Sequence, residues 1–184
     1  MQRLPLSVQS ISSTETTNVI KLSARDITIH AILVTLALAL SLLEAAIPIP
    51  IPGVKLGLAN TVTLFALYTF NPLSALLILF ARCILATVFG GGITSLLFSL
   101  CGGILALFAM ILTRSCKLFS IYGVSIAGAA AHGIGQIIAA CCMFLSFSAV
   151  SYLPFLLFSA LFTGSITAFI SNILISRLPK MYKR

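Results

Sequence analysis

A chain of 184 residues that is 60% hydrophobic, only 8% charged and carries a net charge of +8 cannot be an ordinary soluble domain. Soluble domains carry about 25% charged residues, which they need to cover their surface. The composition indicates an all-α integral membrane protein of one domain, whose basic excess follows from membrane topology and implies no nucleic-acid partner.

Residues 1–26 are polar and rich in Ser and Thr, without the apolar core and cleavage site of a signal peptide. They are expected to form a flexible cytoplasmic tail, followed by a six-helix membrane domain over 27–178 and a basic cytoplasmic tail over 179–184. Apolar runs fall at about 28–47, 57–70, 73–89, 93–113, 121–147 and 153–176. Each break has a local cause. Pro48, Pro50 and Pro52 end the first run, because proline lacks the amide donor and restricts its predecessor. Asn71-Pro72 makes a tight turn, Gly90–Gly92 separates the third run from the fourth, and Arg114–Ser120 the fourth from the fifth. Ser148–Tyr152 with Pro154 separates the last two. The second run is short for a crossing of about 20 residues, so it tilts into the protein or extends into the preceding loop.

The basic residues orient these spans. With the N-terminus inside, Arg3, Lys21, Arg25, Arg114, Lys117, Arg177, Lys180, Lys183 and Arg184 are all cytoplasmic. Lys55 is then the only basic residue of the outer loops, and Arg82 lies within a span. This is the positive-inside pattern, with both termini in the cytoplasm. The expected location is a bacterial cytoplasmic membrane, with lipid as the first partner.

The connection EAAIPIPIPGVKLGLAN, residues 44–60, is too apolar for a solvated turn. Pro48, Pro50, Pro52 and Gly53 are read as a lid packed over an outward-facing pocket. Glu44, Lys55, Asn60, Arg82, His132 and Gln136 converge on the outer half of the bundle and are the candidate substrate-binding residues. Ionisable groups in a bilayer are costly and usually face a partner or a wet cavity. Arg82 pairs with Glu44, reaches the outer interface, or anchors an anion. Lys55 and Glu44 are equally compatible with an ordinary loop lysine and a carboxylate reaching water. Within Ala127–Gln136, Gly128, His132, Gly135 and Gln136 share one helical face, which serves as an interhelical clamp or as a ligand surface. Lys55 and Arg82 against Glu44 favour an anionic or zwitterionic small molecule.

Small residues recur at fourfold spacing in the first span, as Ala31, Thr35 and Ala39 and again as Ala37, Ser41 and Ala45. Such stripes support helix–helix contact in lipid and mark this span for docking a partner. The cysteines are Cys83, Cys101, Cys116, Cys141 and Cys142; they lack metal-site spacing and read as buried small hydrophobes, apart from Cys116 in a basic loop. No metal site is expected.

An enzyme is not expected. The acidic residues are Glu15, Asp26 and Glu44, whereas metal-diphosphate chemistry needs clustered carboxylates. Gly90–Gly92 is followed by Ile93 and Thr94, so no phosphate loop with its lysine is present. No cofactor is expected in the chain, and any ATP would be used by separate subunits.

The segment LSLLEAAIPIPIPGVKLGLANTVTLFALY, the arginine of the third span, the FGGG turn and GVSIAGAAAHGIGQ together resemble the Gx transporter family. That family is also labelled heptaprenyl diphosphate synthase component I. The resemblance covers about residues 28–176. It implies a relationship to the substrate-binding S components of energy-coupling factor (ECF) transporters. These are six-helix bundles whose first loop caps an outward-facing pocket. Small residues of their first helix pack on a transmembrane coupling subunit driven by a pair of ATPases. Ala31 and Thr35 would occupy that helix-1 motif, with threonine for the usual alanine, while Ala37–Ser41 offers another register. The functions implied are an ECF substrate-binding subunit, an accessory membrane subunit for heptaprenyl diphosphate or quinone synthesis, or a stand-alone carrier.

Overall fold

The computed structural model describes residues 24–47 and 55–177. The proposed lid residues Pro48, Pro50, Pro52 and Gly53, most of the N-terminal tail and the C-terminal tail lie outside them. Among the described residues every regular element is helical. The α-helices are α1 (Ala24–Ala45), α2 (Asn60–Thr69), α3 (Pro72–Ala86), α4 (Gly92–Ser115), α5 (Ile121–Phe144) and α6 (Leu153–Arg177). Five of the helices are long and apolar enough to cross a membrane, so the chain is a multi-pass membrane protein.

The exception is α2. Ten residues span about 15 Å, half of a hydrocarbon core of about 30 Å. Its eight residues from Asn60 to Leu67 are all buried. A helix buried on every side sits in the middle of its domain, and α2 packs on α1, α3, α4, α5 and α6. The short second run is thus the centre of the bundle. Ser171 of α6 donates to the Thr61 carbonyl of α2 at 2.9 Å. Ser171→Ala should lower stability by about 1 kcal/mol, the net value of one such bond, measurable as a modest fall in thermal midpoint in micelles.

Helix ends follow local chemistry. Asn71 Oδ1 accepts from the Ser74 N–H at 2.7 Å and Pro72 occupies the first turn of α3. Ser120 caps α5 by accepting from the Gly123 N–H. Past Ala86 the chain kinks over Thr87–Gly91, where Phe89 and Gly90 leave helical geometry, and Gly90 (φ 104°) and Gly92 (φ 68°) supply the positive dihedrals that lead into α4.

Small residues set the tightest contacts. A side chain at Gly135 would stand 2.6 Å from the Cys101 carbonyl oxygen, so α5 lies backbone to backbone on α4. Gly164 of α6 meets the Ile126 backbone of α5 in the same way. Beside that contact the Ser125 and Thr167 hydroxyls are 2.5 Å apart. Close approach of this kind supplies the van der Waals contact that holds helices together in lipid.

The first helix is peripheral. Its buried residues are Leu33, Ala37, Ser41 and Glu44. The two small-residue registers therefore separate: Ala37 and Ser41 face the bundle, whereas Ala31, Thr35 and Ala39 face outward. The cysteine expectation holds only in part. Cys83 is buried, Cys101 and Cys141 are half-buried, and Cys142 is exposed on the outward face of α5, where lipid rather than protein covers an apolar side chain. His30 hydrogen-bonds the Asp26 carbonyl through Nδ1 at 2.7 Å and meets the Phe70 ring.

Two apolar clusters fill the interior. One joins Leu33 and Ala37 of α1, much of α2, Ala75 and Ile78 of α3, and Met110 of α4. The other joins Phe98 of α4, Ile137 and Ala140 of α5, and Leu156 of α6. Polar residues occupy the interval between them.

Candidate ligand-binding site

The polar interval is built from one stretch of each surrounding helix. Ser41 and Glu44 lie one turn apart near the end of α1, Asn60 begins α2, and Arg82 lies one turn beyond Ile78 and Leu79 in α3. Ser99, Gly102 and Gly103 come from α4, and His132 and Gln136 from successive turns of α5. All the side chains predicted from sequence are buried: Glu44, Asn60 and Arg82 are 2% exposed, His132 3%, Lys55 7% and Gln136 0%.

Arg82 organises this cluster. Its Nη1 donates to Ser41 Oγ at 3.1 Å and its Nη2 to Asn60 Oδ1 at 3.2 Å. The guanidinium fork thereby ties α3 to α1 and α2. Of the alternatives open to Arg82, direct hydrogen bonding to Glu44 is not the one adopted. Glu44 Oε1 instead accepts from the Ala59 N–H at 3.2 Å, holding the chain where it returns toward α2. Lys55 is buried beside both charges. Desolvation lowers its pKa below the usual lysine value, the Glu44 carboxylate opposes that shift, and the Arg82 cation adds to it.

The second centre is on α5. Gln136 Nε2 and His132 Nε2 are 3.0 Å apart, across one helical turn. The arc drawn from the sequence is correct, since Gly128, His132, Gly135 and Gln136 are all buried. Its glycines pack on α4 and its two polar side chains enter the polar interval. Gly57, at φ 88°, brings the returning chain onto both centres. A side chain there would stand 3.1 Å from Asn60 Nδ2 and 3.2 Å from His132 Cδ2. On α4 the adjacent glycines admit one key side chain each. A Cβ at Gly102 would be 2.8 Å from His132 Cε1, and one at Gly103 would be 2.5 Å from Leu79 Cδ1 and 3.4 Å from Arg82 Nη2.

The hydrogen-bond capacity of the cluster is not used up. Asn60 Nδ2, Arg82 Nε, Ser99 Oγ and Gln136 Oε1 are buried without a protein partner, and His132 Nδ1, close against the Gly102 backbone, makes no well-aligned bond. A buried polar group left unpaired costs about 1–3 kcal/mol. Native interiors keep few such groups, and each calls for an explanation. Five around one interval make it the candidate place for water or a ligand to complete the bonding. By contrast, a groove of about 350 Å³ between α3 and α4 is lined by apolar side chains alone, including Leu73, Leu76, Ile104 and Phe108. It offers nothing to orient a polar ligand.

Sequence reasoning missed the supporting residues Ser41, Ser99, Gly57, Gly102 and Gly103 as parts of the site. Ser41 was visible one turn before Glu44, and the Gly102-Gly103 pair was visible inside an apolar run. No group of three or more His, Cys, Asp or Glu side chains able to hold a metal is present among the described residues.

A family model described as heptaprenyl diphosphate synthase component I matches residues 33–174, which include every residue of this cluster. No curated protein and no solved structure matches the chain.

Proposed function

The chain belongs to the heptaprenyl diphosphate synthase component I family, and from that premise we propose that it is the substrate-binding membrane subunit of an ECF-type uptake system in a bacterial cytoplasmic membrane. The observation that carries this reading is the enclosed polar cluster with five unpartnered buried atoms. A multi-pass bundle that merely needed to fold would gain by replacing those groups with apolar ones. Ligand capture gives them a purpose. Glu44 and Lys55 offset each other's charge, leaving Arg82 as the surplus cation, which favours a small anionic or zwitterionic substrate.

The basic residues Arg25, Arg114, Lys117 and Arg177 lie at the end of the bundle away from the cluster. By the positive-inside rule that end is cytoplasmic, and the cluster lies toward the outer face. With three acidic residues in the whole chain, the protein is proposed to perform no catalysis. Energy would come from a coupling subunit and paired ATPases, docked on the outward stripe of Ala31, Thr35 and Ala39. The sequence resemblance to the Gx transporter family would fit this arrangement.

The test is co-expression of the tagged chain with an ECF coupling subunit and its ATPases. A stable complex is expected, together with ATP-dependent uptake in proteoliposomes that is lost when the ATPases are omitted. Uptake by the chain alone would establish a stand-alone carrier instead. A second reading has one observation in its favour, the family description itself, which names a component of a prenyl diphosphate synthase. On that reading the chain is an accessory membrane subunit, and its removal lowers prenyl diphosphate synthesis with uptake unchanged.

A further inference from the structure

We infer that the polar cluster recognises a small acid carrying a hydroxyl or amide group: an oxyanion held at the Arg82–Asn60 end and a donor–acceptor group held at the His132–Gln136 end. The inference rests on the ligand-binding reading above and specifies the chemistry of its ligand.

The two ends differ in what they offer. Arginine has donors and no acceptor, so the Asn60 atom that meets Arg82 Nη2 must be the carbonyl oxygen. The free atom of Asn60 is therefore its amide nitrogen, a donor. Arg82 Nε is also a free donor. Lys55 is buried nearby and adds a further donor. The free atoms at this end are donors; Glu44, whose Oε1 accepts from the Ala59 N–H, offsets Lys55 and leaves Arg82 as the surplus cation, which suits an acceptor-only oxyanion such as a carboxylate. A ligand amine placed here would leave the free Asn60 and Arg82 donors unpaired and face the surplus charge of Arg82.

The other end is neutral and two-sided. A neutral imidazole has one donor and one acceptor nitrogen. If Gln136 donates to His132 Nε2, the free Gln136 oxygen accepts and His132 Nδ1 donates. If the amide is turned the other way, the free Gln136 nitrogen donates and His132 Nδ1 accepts. Either arrangement leaves one donor and one acceptor. Ser99, one turn along α4 from the glycine that receives His132, adds a hydroxyl able to do either. A hydroxyl or amide of the ligand satisfies such a surface, and an alkyl group does not. Gly57 places Asn60 and His132 next to each other, so a small molecule reaches both ends.

The experiment is thermal unfolding of the purified full chain in lipid nanodiscs with a probe panel. The panel contains lactate, N-acetylglycine, propionate, methyl lactate, ethanolamine and inorganic phosphate. Lactate or N-acetylglycine should raise the midpoint. Propionate should act about tenfold more weakly, as expected for the loss of one hydrogen bond, and methyl lactate and ethanolamine not at all. Asn60→Asp supplies the carboxylate from within. It should match or exceed the wild-type midpoint without ligand and lose the response to acids. Gln136→Leu should keep the response to acids and erase the preference for lactate over propionate.

Protection by ethanolamine or methyl lactate equal to that by lactate overturns the inference, as does protection by phosphate alone or by no acid. An unchanged acid response in Asn60→Asp also overturns it. Binding and uptake fail separately. Acid binding without ATP-driven uptake removes the transport reading and leaves the ligand class standing. ATP-driven uptake of a neutral or cationic compound does the reverse.

Discussion

Arg82→Ala abolishes ligand retention: small molecules released from the gently purified wild-type protein, identified by mass spectrometry, are absent from the variant. The guanidinium is 2% exposed and spends two donors on Ser41 and Asn60, keeping Nε free. Hydrogen bonds to charged groups contribute about 1.5–3 kcal/mol each, so removing one charge-assisted bond to the ligand weakens affinity about tenfold to a hundredfold. The substitution also releases Asn60, whose carboxamide then no longer holds its nitrogen toward the ligand. Arg82→Lys should recover only part of the binding, because an ammonium keeps the charge and loses the fork that bonds two helices at once. Thermal unfolding of both variants separates loss of the site from loss of the fold. Undiminished retention in a folded Arg82→Ala protein would reduce Arg82 to an interhelical strut.

The largest effect on stability is expected at Gly135, and its contrast with Gly128 isolates the cause. A methyl group at Gly135 meets the Cys101 oxygen at 2.6 Å and the Gly102 Cα at 2.8 Å. Both are backbone atoms of α4, so the helices must move apart. Overpacking costs about 1–3 kcal/mol and more where backbone must shift. At Gly128 the obstacle is the flexible Met110 side chain, with Sδ at 3.2 Å and the other contacts closer still. Methionine repacks readily, and the helix gains about 1 kcal/mol in propensity from Gly→Ala. Gly135→Ala should thus lower the thermal midpoint sharply while Gly128→Ala leaves it nearly unchanged. Separation of α4 from α5 also withdraws Gly102 from His132, so ligand response should fall with stability in Gly135→Ala alone. Equal midpoints for the two variants would show that the α4–α5 interface tolerates expansion.

These two effects concern the same part of the bundle from opposite sides. The polar cluster exists because glycines on α4 and α5 let the backbones meet and leave space for long polar side chains between them. Rigid elements on both sides then hold His132, Gln136 and Arg82 in place, as the proposed ligand recognition would require. Lipid around the bundle raises the cost of each unpaired group, so the same closeness makes an empty site unfavourable.

The residue types in the chain determined the membrane class, the order of the helices with some of their boundaries, and the polar side chains of the candidate site. Hydropathy placed α4 at 93–113 and α6 at 153–176, within two residues of Gly92–Ser115 and Leu153–Arg177. The breaks at Asn71-Pro72 and Gly90–Gly92 rest on backbone chemistry local to those residues, which is why they were legible. Lone polar residues such as Arg82 and Gln136 stood out because apolar surroundings make them costly wherever they point. Tertiary structure alone decided the rest. Periodicity could not tell the Ala31–Thr35–Ala39 register from Ala37–Ser41, because both are small-residue stripes and only packing says which one faces α3. The burial of α2 on every side depends on five neighbouring helices, not on its ten residues. Arg82 bonds Ser41 and Asn60 while Glu44 Oε1 accepts from the Ala59 N–H, a choice that depends on where α1 and α2 place these groups. Which donors remain free, and hence what the site can hold, is a property of atoms brought together from five helices.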